Sequence, residues 1–464
     1  MGWSNLEMAD LKTGDKRLNQ RVKHTIERLS ASSGSSFPAC FKTRAELIGA
    51  YRLFDNDFVT PEKIMEPHYK SVAQRAKTQS VVLLLNDTSS LDYTSKEVEG
   101  LGVLEKNYTR GFFVHPTLAV TPDRCCLGLI DHCTWSRLPD QHRSQISGTK
   151  RGNQPIEEKE SFRWLESYRQ GCVFAESIPE TGFVFIADRE SDILELLAEA
   201  VEKKKKIPNM DLLVRGKHDR VLIGKLEEKK LKETMAKAPV IAKIKFQIPG
   251  RGSQKSREVA QCIRVKQVTI QGKTVDKKQY PSVTINAVFC VEESPPAGAE
   301  PVIWLLLTTL AIKTEAEVLK VINYYLCRWE IETFFNVLKN GCRVEERELK
   351  TADRLKNMLA LFMIVAWRVM FVMNLGRQDP KRPCCEIFET AEWMSVCSIL
   401  NKKVPKEPPF LGEFMIMIGK LGGYQPRKSP PGVKVIWEGL KRMADYAQMW
   451  EVVNTQYESI KRCV

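Results

Sequence analysis

Two short apolar runs, each stopped almost at once by an aspartate, set the frame for this chain. Val81-Val-Leu-Leu-Leu85 leads into Asn86-Asp87-Thr88-Ser89-Ser90, and Phe183-Val-Phe-Ile-Ala187 leads into Asp188-Arg189-Glu190-Ser191-Asp192. A continuous apolar run of this length reads as a strand buried on both faces, and the small polar residues behind it break the strand. Ile193, Leu194, Leu196 and Leu197 then begin a helical pattern. Strands alternating with helical stretches over residues 71–213 predict an α/β sheet, in which ligand sites lie just beyond the carboxyl ends of strands. Asp87 and Asp188 are each placed there, although either one alone could be an ordinary turn or helix-capping residue.

A third acid comes from a helix. In Tyr325-Leu-Cys-Arg328-Trp-Glu-Ile-Glu332-Thr-Phe-Phe-Asn-Val-Leu-Lys339 the polar residues fall at offsets 0, 3, 7 and 14. At about 3.6 residues per turn these offsets lie within roughly 60° of one another, so one face carries Tyr325, Arg328, Glu332 and Lys339. Thr314-Glu-Ala-Glu317 has the capping-box pattern at the start of the stretch, and Gly341 offers a stop behind Lys339. The spacing therefore predicts one long helix, with Ile331, Phe334, Phe335 and Leu338 packing on its other side. A charged stripe on a surface helix is the plainer alternative. The two upstream acids weigh against it.

Several carboxylates brought together cannot all stay ionised without a cation, and hard oxygen ligands select Mg²⁺ or Mn²⁺ over zinc. A pair of such ions about 4 Å apart can activate a water or a 3′-hydroxyl at a phosphodiester and stabilise the leaving oxygen. Arg328, with its planar fork, and Lys339, as a point charge, suit the phosphates of such a substrate. The implied chemistry is nucleic-acid strand cleavage or transfer.

The pattern Y-x2-R-x3-E-x6-K, preceded by Asp188-Arg-Glu-Ser-Asp192 and by Asn86-Asp87-Thr-Ser-Ser-Leu-Asp-Tyr93, resembles the DDE transposases of the insertion-sequence-four family. Within it, the chain looks like the subgroup related to the transposase of the kanamycin-resistance composite transposon. The similarity continues through Gly14-Asp-Lys-Arg17, Gly49-Ala-Tyr-Arg-Leu-Phe54, Arg110-Gly-Phe-Phe-Val-His115, Glu158-Lys-Glu-Ser-Phe-Arg-Trp164, Leu212-Leu-Val-Arg-Gly-Lys-His218, Trp304-Leu-Leu-Leu-Thr308 and Gly419-Lys-Leu-Gly-Gly-Tyr424. The resemblance implies that Asp87, Asp188 and Glu332 are the catalytic, metal-binding acids, served by Mg²⁺ with Mn²⁺ as a substitute. It implies that Tyr325, Arg328 and Lys339 hold transposon-end phosphates, and that Trp304 accepts a base flipped out of a DNA hairpin. On the residues alone, Trp304 heads an apolar run and is equally a core side chain. Arg21, Arg52, Arg215 and Lys217 are placed near DNA by the same resemblance. Asn336 departs from the pattern, since a close relative carries Lys there, which puts one phosphate contact in doubt.

The implied fold is a ribonuclease-H-like α/β core interrupted by a β-rich insertion, with helical N-terminal and C-terminal regions. Residues 1–70 form the helical DNA-binding domain, divided by the Ser/Gly-rich stretch 30–36, and residues 71–375 the catalytic core. The insertion covers about 214–303, where alternating runs such as Ile263-Arg-Val-Lys-Gln-Val268 and Val283-Thr-Ile-Asn-Ala-Val288 are broken by Gly and Pro. Residues 376–464, entered through Pro380, Pro383, Pro405, Pro408 and Pro409, form a helical dimerisation region in which Trp437, Leu440, Met443 and Ala447 keep helical spacing.

At 464 residues the chain can bury a full core, and a net charge of +14 suits a polyanionic partner. The expected partners are double-stranded DNA, as inverted-repeat ends and target, and a second copy of the chain in the paired complex. The thirteen cysteines include no C-x2-C pair, and the six histidines form no ligand-spaced cluster. They read as reduced thiols used as small apolar residues. The start Met1-Gly-Trp-Ser-Asn lacks a signal-peptide pattern. Residues 358–375 approach membrane-span length, but Arg368 interrupts them, and a buried helix is expected rather than a membrane contact. A cytoplasmic, nucleoid-associated bacterial protein is the corresponding location. The function expected is cut-and-paste transposition, probed against two alternatives: a nuclease of the same fold that only hydrolyses, and a catalytically silent DNA-binding repressor derived from a transposase.

Overall fold

The computed structural model describes residues 2–463, apart from 105–107, 138–153, 225–228, 249–255, 276–277, 402–403 and 427–428. The N-terminal region is helical: α1 (Trp3–Glu7), α2 (Lys16–Ala31), α3 (Arg44–Phe54) and α4 (Pro61–Lys77). Asp15, Thr43 and Thr60 cap the last three by accepting the amides of Arg17, Glu46 and Lys63. This region is pinned to the rest through a buried network. Glu7 accepts from Arg75 Nη1 at 2.8 Å and lies 2.5 Å from His68 Nδ1, while the Leu129 amide donates to His68 Nε2 at 3.0 Å. Burial opposes the charge on Glu7, yet Arg75 and His68 overcome it and hold the carboxyl down at about 2.

The sheet begins with β1 (Val81–Asn86), β2 (Ser89–Asp92), β3 (Gly102–Val103), β4 (Arg110–Val120) and β5 (Cys126–Trp135). After α5 (Phe162–Glu176) come β6 (Gly182–Ala187), α6 (Leu194–Lys204) and β7 (Met210–Arg215). The chain then runs through α7 (Leu231–Lys237), β8 (Val240–Ile248), β9 (Arg257–Ile270), the hairpin β10 (Lys273–Val275) and β11 (Lys278–Tyr280), β12 (Val283–Glu292) and β13 (Ile303–Thr308). Strands β1, β6 and β7 are parallel neighbours; β4 joins β1, and β13 joins β7, antiparallel. Four strands of the β-rich stretch, β13, β12, β9 and β8, extend the same sheet beyond β7, while β10 and β11 pair as a separate two-stranded ribbon.

Alternation within the apolar runs explains why they are continuous. Leu83, Leu85, Val184 and Ile186 point into one core, and Val82, Leu84, Phe183 and Phe185 into a second on the opposite face. The first core is filled by a long helix and its neighbours, and the second by α5 and α6.

The remaining helices are α8 (Glu315–Leu326), α9 (Trp329–Asn336), α10 (Ala352–Gln378), α11 (Thr390–Asn401), α12 (Leu411–Leu421) and α13 (Val433–Cys463). Helix α10 is long and apolar enough to cross a membrane, but 89% of its apolar window is buried inside the fold. Its Arg368 donates to the Ile387 carbonyl at 2.8 Å. On α13, Trp437, Met443 and Ala447 are buried. The cysteines described are free thiols, and most are buried.

The single helix expected over 315–341 is interrupted. Thr314 and Glu317 form the capping box, but the α-helical bonding lapses at Cys327 and Arg328, where Arg328, Glu330 and Ile331 donate back only three residues. It resumes as α9, then widens into a π turn over Val337–Gly341. Gly341 does not end it in a left-handed conformation; Arg343 takes that role, with φ 51°. Gly341 instead lies close under Trp437, where a Cβ would stand 3.1 Å from the ring.

Candidate active site

Register brings the predicted residues to one edge. Asn86 pairs with Ala187, and Ala187 with Val214, so the next residues, Asp87, Asp188 and Arg215, stand side by side at the carboxyl ends of three parallel strands. On antiparallel β13 it is Leu306 that pairs with Arg215, so Trp304 lies two residues beyond this row, on the side of the loop that follows β7. The polar stretch after β1 interrupts the strand only briefly. Asp87 and Thr88 lie between the pairs Asn86–Thr117 and Ser89–Val114, facing Pro116 and His115, and β2 follows. Pro116 has no N–H to offer a ladder.

Glu332 reaches this edge from α9 through Arg328. Arg328 donates from Nη1 to Asp87 Oδ2 at 3.0 Å and from Nη2 to Glu332 Oε1 at 2.8 Å. It therefore bridges two acids, with its side chain 10% exposed. Among the described residues no group of three or more His, Cys, Asp or Glu is gathered closely enough to hold a metal ion. Arg328 stands between Asp87 and Glu332 and offsets the charge of both.

The electrostatics of the edge are unusual. Burial, then the negative charge of Asp188, pushes the Asp87 carboxyl up to about 6; the Thr88 amide and Arg328 pull the other way. Two neighbouring carboxylates at a half-buried edge, offering only oxygen, fit a hard divalent ion.

Tyr325 is buried beside Arg215, with its ring 6.4 Å from that of Trp304. Trp304 is half-buried and stacks on Phe246, ring centroids 5.4 Å apart at 21°. Lys339, turned by the π segment, donates to the Ser90 carbonyl at 2.5 Å and lies 3.7 Å from Glu345. It thus meets β2, not Glu332. Lys217 is exposed in the loop after β7, and its amide and that of His218 donate to Asp192 at 2.7 and 2.8 Å. Arg21 and Arg52 are exposed on α2 and α3, away from the strand ends along the chain and in the fold's N-terminal region. Asn336 accepts from the Asn340 side chain at 2.7 Å.

Sequence reading missed the supports of this edge. Asp192 anchors the loop after β7, also accepting from Arg220 Nε at 3.0 Å. His115, on β4, sits 2.9 Å from the Thr88 hydroxyl, and burial, with Arg163 adding to it, pushes its pKa down to about 3. Arg163, on α5, donates to Thr88 and to Glu190. The signal available was the pairing of Arg163 with Trp164 in one motif and the acid at Asp192 in another, but nothing local said what they would meet.

Three family models match the chain: a transposase DNA-binding domain over residues 1–59, a transposase DDE domain over 166–367, and the transposase Tn5 dimerisation domain over 364–457. Asp188 and Glu332 fall inside the second match. Asp87 lies upstream of it, so its place rests on the strand register and on Arg328.

Proposed function

We propose, from the domain content that makes this chain a DNA transposase of the DDE type, that Asp87, Asp188 and Glu332 are its catalytic acids. The observation that carries this is the strand register: it sets Asp87 beside Asp188, and Arg328 ties Glu332 to Asp87. These acids would hold Mg²⁺, with Mn²⁺ able to substitute. Bound divalent ions would supply an activated water or 3′-hydroxyl and offset charge on the leaving oxygen.

The chain's own residues do the rest. Arg328 offsets the repulsion between Asp87 and Glu332, and its fork could turn to a phosphate if the acids held a divalent cation. Tyr325, Arg215, Lys217 and Lys339 offer further donors around the same edge, and Arg21 and Arg52 belong to the N-terminal DNA-binding domain. The strand order β5-β4-β1-β6-β7, two antiparallel neighbours followed by parallel ones, supports a ribonuclease-H-like core. Membership of the insertion-sequence-four family, near the kanamycin-resistance subgroup, and a nucleoid-associated location in a bacterial cytoplasm complete this reading. The dimerisation domain supports homodimer formation on DNA.

Transposition through a hairpin asks Trp304 to stack with an extruded base, worth roughly 1–3 kcal/mol. Because Phe246 already covers one face of Trp304, a base must enter on the other face or displace that ring. This stack is the one feature that favours the simpler hydrolytic reading, in which Trp304 only packs.

The test uses DNA carrying the element's own terminal repeats. Asp87→Ala, Asp188→Ala and Glu332→Ala should each abolish Mg²⁺-dependent nicking and leave end binding largely intact, because binding contacts lie on other side chains. Glu330→Gln serves as a control, since Glu330 faces Arg124 at 3.4 Å. Full cleavage by any of the three alanine variants removes that residue from the site.

A further inference from the structure

Strand pairing fixes the backbones of Asn86 and Ala187, but the acids themselves lie one residue further on, where the ladder has ended. Something else must hold the two turns at a set separation. Arg163 is the side chain that touches both. Its Nε donates to Thr88 Oγ1 at 3.1 Å, and its Nη2 donates to Glu190 Oε2 at 2.7 Å. Thr88 and Glu190 are equivalent partners, because each gives its amide to the aspartate of its own turn. Thr88 N donates to Asp87 Oδ1, and Glu190 N to Asp188 Oδ1, both at 2.8 Å.

The guanidinium is itself braced. Its Nη1 donates to the Glu160 carbonyl at 2.7 Å, and it lies 5.0 Å from the Trp135 ring centroid and 5.6 Å from that of Trp164. Only 11% of the side chain is exposed, so it is built into the fold and not offered to solvent. The Thr88 hydroxyl, accepting from Arg163, also lies 2.9 Å from His115 Nδ1, so a second buried side chain braces the threonine.

We infer that Arg163 is a positioning residue that clamps the Asp87 and Asp188 turns together through Thr88 and Glu190. It thereby sets the spacing of the two carboxylates for a divalent cation. The inference rests on the proposal that these acids bind metal. A planar fork with donors on two edges can span both turns, whereas a lysine ammonium at the same place can serve one partner at a time. Residues that orient metal ligands from behind typically change metal affinity by roughly 10–100-fold when removed.

The test is Mn²⁺ binding to the full chain without DNA, followed by the electron-spin signal of free Mn²⁺ and accompanied by a thermal melt of each variant. Arg163→Ala should weaken Mn²⁺ binding by roughly 10–100-fold, and Arg163→Lys should recover only part of it. The double variant Thr88→Val/Glu190→Ala should reproduce the Arg163→Ala loss, and adding Arg163→Ala to it should cause little more. That non-additivity is something a general packing role does not produce. If Arg163→Ala binds Mn²⁺ like the unmodified chain while Asp87→Ala does not, the clamp is wrong. It is equally wrong if the Thr88/Glu190 double variant binds normally. If Asp87→Ala and Asp188→Ala both bind Mn²⁺ as before, the metal assignment fails first, and the clamp with it.

Discussion

The environment of Asp87 sets a pH dependence. Its carboxyl is raised from 3.8 to about 6, chiefly by burial and by Asp188. A folded-state value above the unfolded one means that the contribution to stability is complete below about pH 4 and is lost as pH rises through about 6. A rise of this size corresponds to a few kcal/mol, roughly 3 at most. Asp87→Asn removes the buried charge but weakens the bond to Arg328, so a net gain of about 1–2 kcal/mol is expected near pH 8, vanishing near pH 4. Urea unfolding at the two pH values measures it; an equal effect at both would mean that the carboxyl is not the source. At this scale the sequence was readable where an acid ends an apolar run, as at Asp87 and Asp188. It was not readable at Arg328, whose charge suggested a phosphate but whose side chain bridges two carboxylates brought together from residues 87 and 332. Spacing along a helix says which face a cation shares, not what the opposing strand presents.

The helix carrying Glu332 shows the same limit one level up. Its capping box is a four-residue signal and is legible as such. The lapse at Cys327–Arg328 and the π turn at Val337–Gly341 have tertiary partners at their sites: Arg328 reaches Asp87, Lys339 reaches Ser90, and Gly341 lies under Trp437. None of these is visible in periodicity. The segment just beyond also ties the N-terminal region to the core. Arg347, 2% exposed, donates to the carbonyls of Ser33, Ser35 and Cys342 and stacks 4.7 Å from the Phe362 ring centroid, while Arg343 Nη1 donates to the Gly34 carbonyl at 3.1 Å. The Ser/Gly-rich stretch that divides the N-terminal helices is thus held by the chain that follows Glu332. Arg347→Ala strips several buried carbonyls of their donor and should cost about 3 kcal/mol or more. Limited proteolysis should then cut near residues 32–36 well before the rest of the chain. Unchanged protection of that stretch would show that Arg343 alone suffices to hold it.

Over the whole molecule, the alternating runs of the insertion were legible as strands, but not their destination. They lengthen the central sheet past β7, because β13 finds the free edge of β7 and returns the chain to α8 and the third acid. That arrangement lets residues more than a hundred positions apart share one edge, and it leaves the C-terminal helices to another task. Within the dimerisation domain, α13 buries Trp437 and Met443 against the core, then leaves Met449, Val452 and Val453 at 63%, 46% and 53% exposure. Offsets of three and four put these three on one face, an apolar stripe that gains nothing from water. Because this helix lies within the match to a transposase dimerisation domain, a second copy of the chain is the partner expected for the stripe. Met449→Glu combined with Val453→Glu adds like charges to both sides of such a contact and removes its apolar area, without disturbing the buried half of the helix. The variant should therefore keep its melting temperature and bind a single DNA end, yet fail to join two ends into one complex. Sedimentation of the chain on short end DNA distinguishes the outcomes: a one-chain complex is expected, and a two-chain complex of normal mass would place the dimer contact elsewhere than on this stripe.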